Sequence, residues 1–195
     1  MDELADGQST KAALRASVFA RRRGRSDHER TETAHAIAEH LLAAAVSQTD
    51  TVATYLSMDS EPGTAPLIAG LLARGTRVLV PVVEPDHRLS WVDYDPSARA
   101  EASPLGVVEP EGARLGPEAL AEAGLIVVPA LAVDLRGTRL GRGAGYYDRA
   151  LAHATAPVCA LLFSDELIEH VPAEIHDRTV DLVATEAGIF RVFPG

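Results

Sequence analysis

Ten consecutive residues, Arg139-Leu140-Gly141-Arg142-Gly143-Ala144-Gly145-Tyr146-Tyr147-Asp148, combine types that could do chemistry at close spacing. Glycine permits positive φ and close backbone approach. Successive exposed N–H groups beside a helix start attract phosphate oxygens. Arg139 and Arg142 add charge and a planar fork, and Asp148 offers an oxygen ligand for the magnesium that accompanies a nucleotide. Tyr146 and Tyr147 are either plain core at a helix start or a stacking surface whose hydroxyl stays wet. The segment therefore reads as an anion grip, against the alternative of a surface loop whose glycines only satisfy turn geometry. It matches neither familiar nucleotide loop. A Walker loop needs Lys and then Ser or Thr after its last glycine, where this chain has Tyr146 and Tyr147. A dinucleotide fold sets its glycines directly after the first strand, with an acidic residue about twenty positions on.

The elements that must position this loop follow from apolar periodicity. Residues 11–23 read as a helix with Leu14, Val18 and Phe19 as a short stripe, and Lys11 and Arg15 four apart on one face. Its end, Arg21-Arg22-Arg23, is expected to be solvated, with cations near the negative pole of the helix. Residues 26–46 begin with the capping box Ser26-Asp27-His28-Glu29 and continue as a helix. Residues 51–56 read as a strand, 66–74 as a helix closed by Gly75, and 77–83 as the next strand, a β-α-β order that implies parallel pairing. Ligands in such sheets sit beyond the carboxyl ends of the strands, where Glu61 lies. Residues 88–94 look extended, and the remainder of an excursion over 83–116 has no clean period and is expected to be irregular, able to wall a pocket. Strands are expected over 125–128, 158–162 and 179–184, helices over 117–123, 146–153 and 165–170, and a loop over 129–145. The fold class is an α/β three-layer sandwich with a mostly parallel central sheet flanked by helices, expected as one domain.

Composition limits the partners. A net charge of −10 over 195 residues argues against broad nucleic-acid binding, so an anionic ligand needs a local basic patch. The first nine residues carry Asp2, Glu3 and Asp6 with no apolar run, which points to a cytoplasmic protein without a membrane partner. The lone Cys159 lies in an apolar run, which suggests a small buried side chain rather than a catalytic thiol. The histidines show no metal-ligand spacing.

The stretch Val128-Pro129-Ala130-Leu131-Ala132-Val133-Asp134, with Gly137-Thr138 and the run through Asp148, resembles the signature of the 5-formyltetrahydrofolate cyclo-ligase family. Lys11-Ala12-Ala13-Leu14-Arg15 is similar to the family's N-terminal helix. Tyr55, Glu61 and Thr64 resemble its loop, and Pro81, Glu109-Pro110 and Asp181 fall at matching places, so the likeness spans most of the chain. The resemblance implies ATP- and magnesium-dependent closure of 5-formyltetrahydrofolate to 5,10-methenyltetrahydrofolate; a monomer acting on small molecules is expected. It implies ATP binding by Lys11, Arg15 and Arg139, Leu140, Gly141, Arg142, Gly143, Ala144, Gly145, Tyr146 and Tyr147. It assigns the folate to Tyr55, Glu61, Arg142, Gly143, Ala144, Gly145 and Tyr146, electrophilic catalysis to Arg142, and magnesium to Asp148 and Asp181. Without it, Lys11, Arg15, Glu61 and Asp181 read as ordinary surface charges.

The chain departs from the family pattern at three places. Ala144 stands where glycine or lysine is frequent, harmless if its φ is negative. Val133 replaces a frequent phenylalanine, and residues 104–108 lack a tryptophan that lines the folate pocket in some members; Trp91, upstream, is expected to pack in its strand. Two other readings fit the same loop: a sugar-phosphate enzyme that uses no ATP, and a non-catalytic relative that binds nucleotide or folate.

Overall fold

The computed structural model describes residues 2–58, 60–102, 108–174 and 177–193. Helix α1 (Asp2–Gly24) starts well before the predicted residue 11, and α2 (Asp27–Ala43) follows after one capping turn. Glu29 N–H donates to the Ser26 hydroxyl at 3.2 Å while Ser26 N–H donates to the Glu29 carboxylate at 2.7 Å, the reciprocal cap read from the sequence. Strand β1 (Thr51–Ala53), α3 (Ala65–Ala73) and β2 (Arg77–Glu84) form the expected parallel unit. Gly75 at φ +78° ends α3 in the left-handed turn that a side chain would resist.

β3 (Arg88–Asp93) turns back antiparallel to β2. Farther along, β4 (Ala100–Ala102) pairs antiparallel with β5 (Val108–Pro110), and residues 103–107 lie outside the described residues. β6 (Leu125–Pro129) is central. The stretch 129–145, expected as loop, contains a hairpin of β7 (Ala132–Asp134) and β8 (Arg139–Leu140), too short for its alternation to stand out. Helix α4 (Tyr146–Ala150) continues as a 3-10 turn to His153. After β9 (Val158–Leu161), the helix expected over 165–170 is instead one 3-10 turn, Ser164–Glu166, and β10 (Leu167–Ile168), which joins β7 in parallel. β11 (Leu182–Thr185) is followed by β12 (Gly188–Arg191), an antiparallel edge strand the sequence reading did not include.

Among the described residues the main sheet runs β12-β11-β9-β6-β1-β2-β3, parallel from β11 to β2 with antiparallel edges. Taken alone, the parallel strands have the doubly wound order 2-1-3-4-5, which reverses between β1 and β6 and leaves a crevice at their carboxyl ends. Alternation divides the core. Val52, Val78, Val80, Val127 and Leu161 face α2 and α3, where Ile37, Leu41, Leu67 and Leu71 are buried. Leu79, Ile126, Val128, Ala160 and Val183 face the layer holding Leu120 and Leu151. Each such fully buried aliphatic side chain contributes about 1.5–3 kcal/mol. Cys159 is buried in the first of these layers, and burial pushes its thiol up to about 12, as suits an inert core side chain.

Helix α1 stands apart, packing Val18 on Leu131, Leu140 and Val171. Arg22 overturns the expectation of a solvated basic end: it is 1% exposed, and donates from Nε and Nη2 to the two oxygens of buried Glu166, each at 2.7 Å. The helical stripe that buries Val18 also buries the residue four positions on, which hydropathy alone does not anticipate. Among the described residues no helix is long and apolar enough to cross a membrane.

Candidate active site

The crevice where the strand order reverses is a cavity of about 810 Å³. Tyr55 beyond β1 and Pro129 at the end of β6 form its floor, and Pro81, Val83 and Leu89 of the β2–β3 hairpin form an apolar wall. Facing that wall are the glycine loop and the Lys11–Arg15 turn of α1.

The β7–β8 hairpin carries the loop to this place. Gly137 makes its turn at φ +79°, and buried Asp134 accepts the N–H groups of Arg136, Thr138 and Val171 at 2.9–3.1 Å. A Cβ on Gly137 would stand 2.4 Å from the Val180 carbonyl oxygen, so the close approach itself demands glycine. Arg139, next on the strand, is only 6% exposed. It donates to Asp148 Oδ1 at 2.8 Å and to the Pro129 carbonyl at 3.3 Å, and its guanidinium lies 5.8 Å from the Tyr147 ring centroid. Arg139 is thus chiefly an internal brace of the loop, although the residue also lines the cavity and its buried Nε has no partner among the described residues.

Gly143 and Gly145 adopt φ +105° and +73°, while Ala144 is not among the residues with positive φ, so the methyl group there is unstrained. Arg15 donates from Nε to the Gly141 carbonyl at 3.0 Å and lies along Gly143, where an added Cβ would meet its Cζ at 3.4 Å. Arg142 points across the cavity, donating to Glu61 Oε1 from Nε at 3.2 Å and Nη2 at 3.0 Å. Glu61 is held in turn by the Met58 N–H, which donates to Oε2 at 2.9 Å. Thr64 closes this β1–α3 loop by donating to the Tyr55 carbonyl at 2.7 Å and accepting the Ser57 N–H at 3.1 Å.

Lys11 is the only lysine among the chain's 18 lysines and arginines. It is buried to 6% exposure with its ammonium 2.7 Å from Asp177 and 3.2 Å from Glu174, which excludes its reading as a solvated helix charge. Those two acids line the cavity and were missed, because the segment before β11 has no period to place it. Asp181, by contrast, is not among the cavity-lining residues: it is exposed, and its carboxylate accepts the Val158 N–H at 2.8 Å. β9 and β11 run parallel, so residues just before them sit at the sheet end opposite the cavity. Asp148 and Asp177 instead line both the cavity and a hollow adjoining it behind the glycine loop.

Two phenols complete the floor. Burial pushes Tyr55 well above its usual range, with Glu61 and Tyr147 adding to the effect; Tyr147 is raised by burial and Glu61, against the opposing Arg139. Both are therefore neutral donors. The Tyr55 hydroxyl is buried without a partner among the described residues. Tyr146 lines the cavity with its ring edge-on to His87, centroids 5.3 Å apart. Trp91 is 1% exposed and paired with Pro81 across β2–β3, packing in its strand as the sequence suggested.

The arrangement is a ring of cation–carboxylate pairs around an apolar slot, suited to a polyanion beside a flat organic ring. Among the described residues no three His, Cys, Asp or Glu side chains gather as a metal cage. Magnesium does not require one, since it keeps several waters and takes one or two carboxylates with phosphate oxygens. Asp148, with one oxygen engaged by Arg139 and the Arg178 N–H, and Asp177 fit that limited demand.

Residues 7–186 match the 5-formyltetrahydrofolate cyclo-ligase family. A 5-formyltetrahydrofolate cyclo-ligase of Mycolicibacterium smegmatis is 41% identical over 183 residues, covering 90% of this chain and 93% of the relative. One from Escherichia coli K12 is 33% identical over 147 residues, 72% and 80% of the two chains. The solved structure of Aquifex aeolicus 5,10-methenyltetrahydrofolate synthetase superposes with a TM-score of 0.76 at 29% identity, covering 95% of this chain and 94% of the other. With the glycine loop, the α1 cations and the β1–α3 loop assembled around one cavity, this chain belongs to the 5-formyltetrahydrofolate cyclo-ligase family of enzymes.

Proposed function

We propose that the cavity converts 5-formyltetrahydrofolate and ATP into 5,10-methenyltetrahydrofolate, ADP and phosphate. The formyl oxygen attacks the γ-phosphorus and ADP leaves. N10 then adds to the activated carbon and loses its proton, and phosphate departs with the former formyl oxygen. Phosphoryl transfer of this kind needs positioning and charge stabilisation more than a protein nucleophile. The observation that carries the reading is the continuity of the cavity from Lys11 and Arg15, across the glycine loop, to Glu61 and the apolar wall of Val83 and Leu89.

Lys11, Arg15 and the N–H groups of 139–147 would take the triphosphate, and Tyr55, Glu61 and Tyr146 the folate. Arg142 sits between the two groups, bound to Glu61, where a guanidinium can take up charge that develops on the transferring phosphoryl. Glu61, buried and acceptor-rich, would hold N–H groups of the pterin or orient the formyl region. Magnesium, when bound, would neutralise phosphate charge; Asp148 and Asp177 are its carboxylates in this reading. We take the enzyme as a cytoplasmic monomer without nucleic-acid or membrane partners, which light scattering and fractionation test.

The deciding experiment mixes purified protein with 5-formyltetrahydrofolate, ATP and magnesium and follows the near-ultraviolet absorbance of the methenyl product. Product is expected only with all three present. Absence of product, together with absence of folate binding by calorimetry, rejects the proposal. Lys11→Ala is expected to weaken ATP far more than folate, and equal losses would reject its assignment.

A further inference from the structure

Arg22 lies about two turns along α1 from Arg15 and is not among the cavity's lining residues, yet it is among the most completely enclosed large side chains of the protein. Its side chain and that of Glu166 are both 0% exposed. The grip has three points: Nε to Oε1, Nη2 to Oε2, and Nη2 to the Ala130 carbonyl, all at 2.7 Å. Glu166 is itself fixed by the Phe163 N–H, which donates to it at 3.1 Å. A buried ion pair is weak evidence for stability, because desolvation offsets the attraction; its best-attested use is to fix a register.

α1 is an element that needs such fixing. Its apolar contact is small, with Val18 the one fully buried aliphatic residue of the described face. Lys11, Arg15 and Val18 precede Arg22 by eleven, seven and four residues, so all lie on one face within about 40° of it. Since each residue turns the helix by about 100°, a small rotation about its axis would carry Lys11 away from Asp177 and Arg15 away from the Gly141 carbonyl. The two-point fork of Arg22 on Glu166 resists that rotation in a way that a single contact cannot. Ala130, held by the same guanidinium, lines the cavity, so helix and wall are tied to one side chain.

We infer that the Arg22–Glu166 pair is a positioning lock that sets the rotation of α1 and so presents Lys11 and Arg15 to the ATP phosphates. The ATP half of this inference rests on the proposed function; the rotation half does not. Because Lys11 is the sole lysine, an amine-reactive acylating reagent reports its exposure directly, with only the chain's amino terminus competing.

The test compares wild type, Arg22→Lys and the charge-free double variant Arg22→Met with Glu166→Met. Acylation of Lys11 is followed by peptide mass spectrometry, and magnesium–ATP and 5-formyltetrahydrofolate binding by calorimetry. In the folded double variant, Lys11 is expected to acylate at least tenfold faster and the ATP Kd to rise at least tenfold, with the folate Kd within twofold. Arg22→Lys keeps the charge without the fork, its added amine being told apart from Lys11 in the peptide map, and is expected to shift both readouts in the same direction by less, which keeps the inference testable if the double variant does not fold. Unchanged acylation in folded variants overturns the lock, and so do equal losses for both ligands, which would mark a merely structural pair. Failure of wild type to bind ATP would reject the proposed function and leave the acylation result to decide the lock alone.

Discussion

Arg142 and Glu61 meet across the cavity from positions 81 residues apart, with Nε and Nη2 of the arginine converging on a single carboxylate oxygen. Glu61 is 6% exposed in its side chain and Arg142 41%, so the acid is enclosed while the guanidinium remains reachable. Arg142→Ala therefore removes the charge that the proposed mechanism assigns to the transferring phosphoryl while leaving Glu61 its Met58 N–H. Turnover is expected to fall by about two to three orders of magnitude. Stability is expected to fall by only about 1–2 kcal/mol, the loss of one half-exposed pair. Steady-state rates and thermal unfolding check this; a rate within fivefold of wild type would remove Arg142 from the catalytic role.

The Tyr55 hydroxyl separates function from stability. It is buried, belongs to a residue that lines the cavity, and has no partner among the described residues. An unmade buried hydrogen bond costs about 1–3 kcal/mol, and a ligand acceptor would satisfy it. Tyr55→Phe is expected to raise the unfolding temperature by a few degrees and to raise the KM for folate about tenfold, with the KM for ATP unchanged. A stabilised variant with an unaltered folate KM would show the hydroxyl to be a defect of packing rather than a binding group.

Glycines in the signature do unequal work. Gly143 needs its positive φ but has room, since the nearest atoms to an added Cβ belong to the flexible Arg15 side chain. Gly137 needs both its φ and its empty space, because the backbone oxygen of Val180 stands 2.4 Å from an added Cβ. Gly137→Ala is expected to destabilise by about 2–4 kcal/mol, from left-handed strain plus overpacking. Gly143→Ala is expected to lose about 1–2 kcal/mol, from strain alone. Chemical denaturation of the two variants tests the order, and reversal would show that the hairpin turn can relax.

What was legible in the chain follows from the range of the interactions involved. The capping box at Ser26, the left-handed Gly75 and the apolar run of β6 are local signals, and each element formed where they stood. β7, β8 and β10 are two or three residues long and exist through pairing with one another, so no local period announces them. Charge was harder still. Arg21, Arg22 and Arg23 are alike in sequence, yet Arg21 pairs with the exposed Asp165 while Arg22 pairs with Glu166 in the core, each 144 residues away. Lys11 and Glu61 entered the site through likeness to a family, and their burial against partners distant in sequence explains why composition gave no hint of it. Asp181 matched a pattern of residue types and stands just before β11, at the sheet end opposite the cavity, a place that residue types alone do not give.

That displacement makes a sharp comparison between two aspartates only four residues apart. Asp177 lines the cavity and holds Lys11 at 2.7 Å; Asp181 faces the other end of the sheet, holding the Val158 N–H. In Asp177→Asn a neutral amide replaces a carboxylate that pairs with an ammonium and, in the proposed reading, assists magnesium. The magnesium concentration for half-maximal activity is expected to rise at least tenfold, because a hard cation prefers a charged oxygen ligand. Asp181→Asn keeps an oxygen for the Val158 N–H and is expected to leave that concentration within twofold, with a stability loss of about 0.5–1.5 kcal/mol. Titrating magnesium against activity in both variants, with ATP saturating, decides between them. An effect confined to Asp181→Asn would show that the metal is held from the opposite end of the sheet and that the cavity is not where phosphoryl transfer occurs.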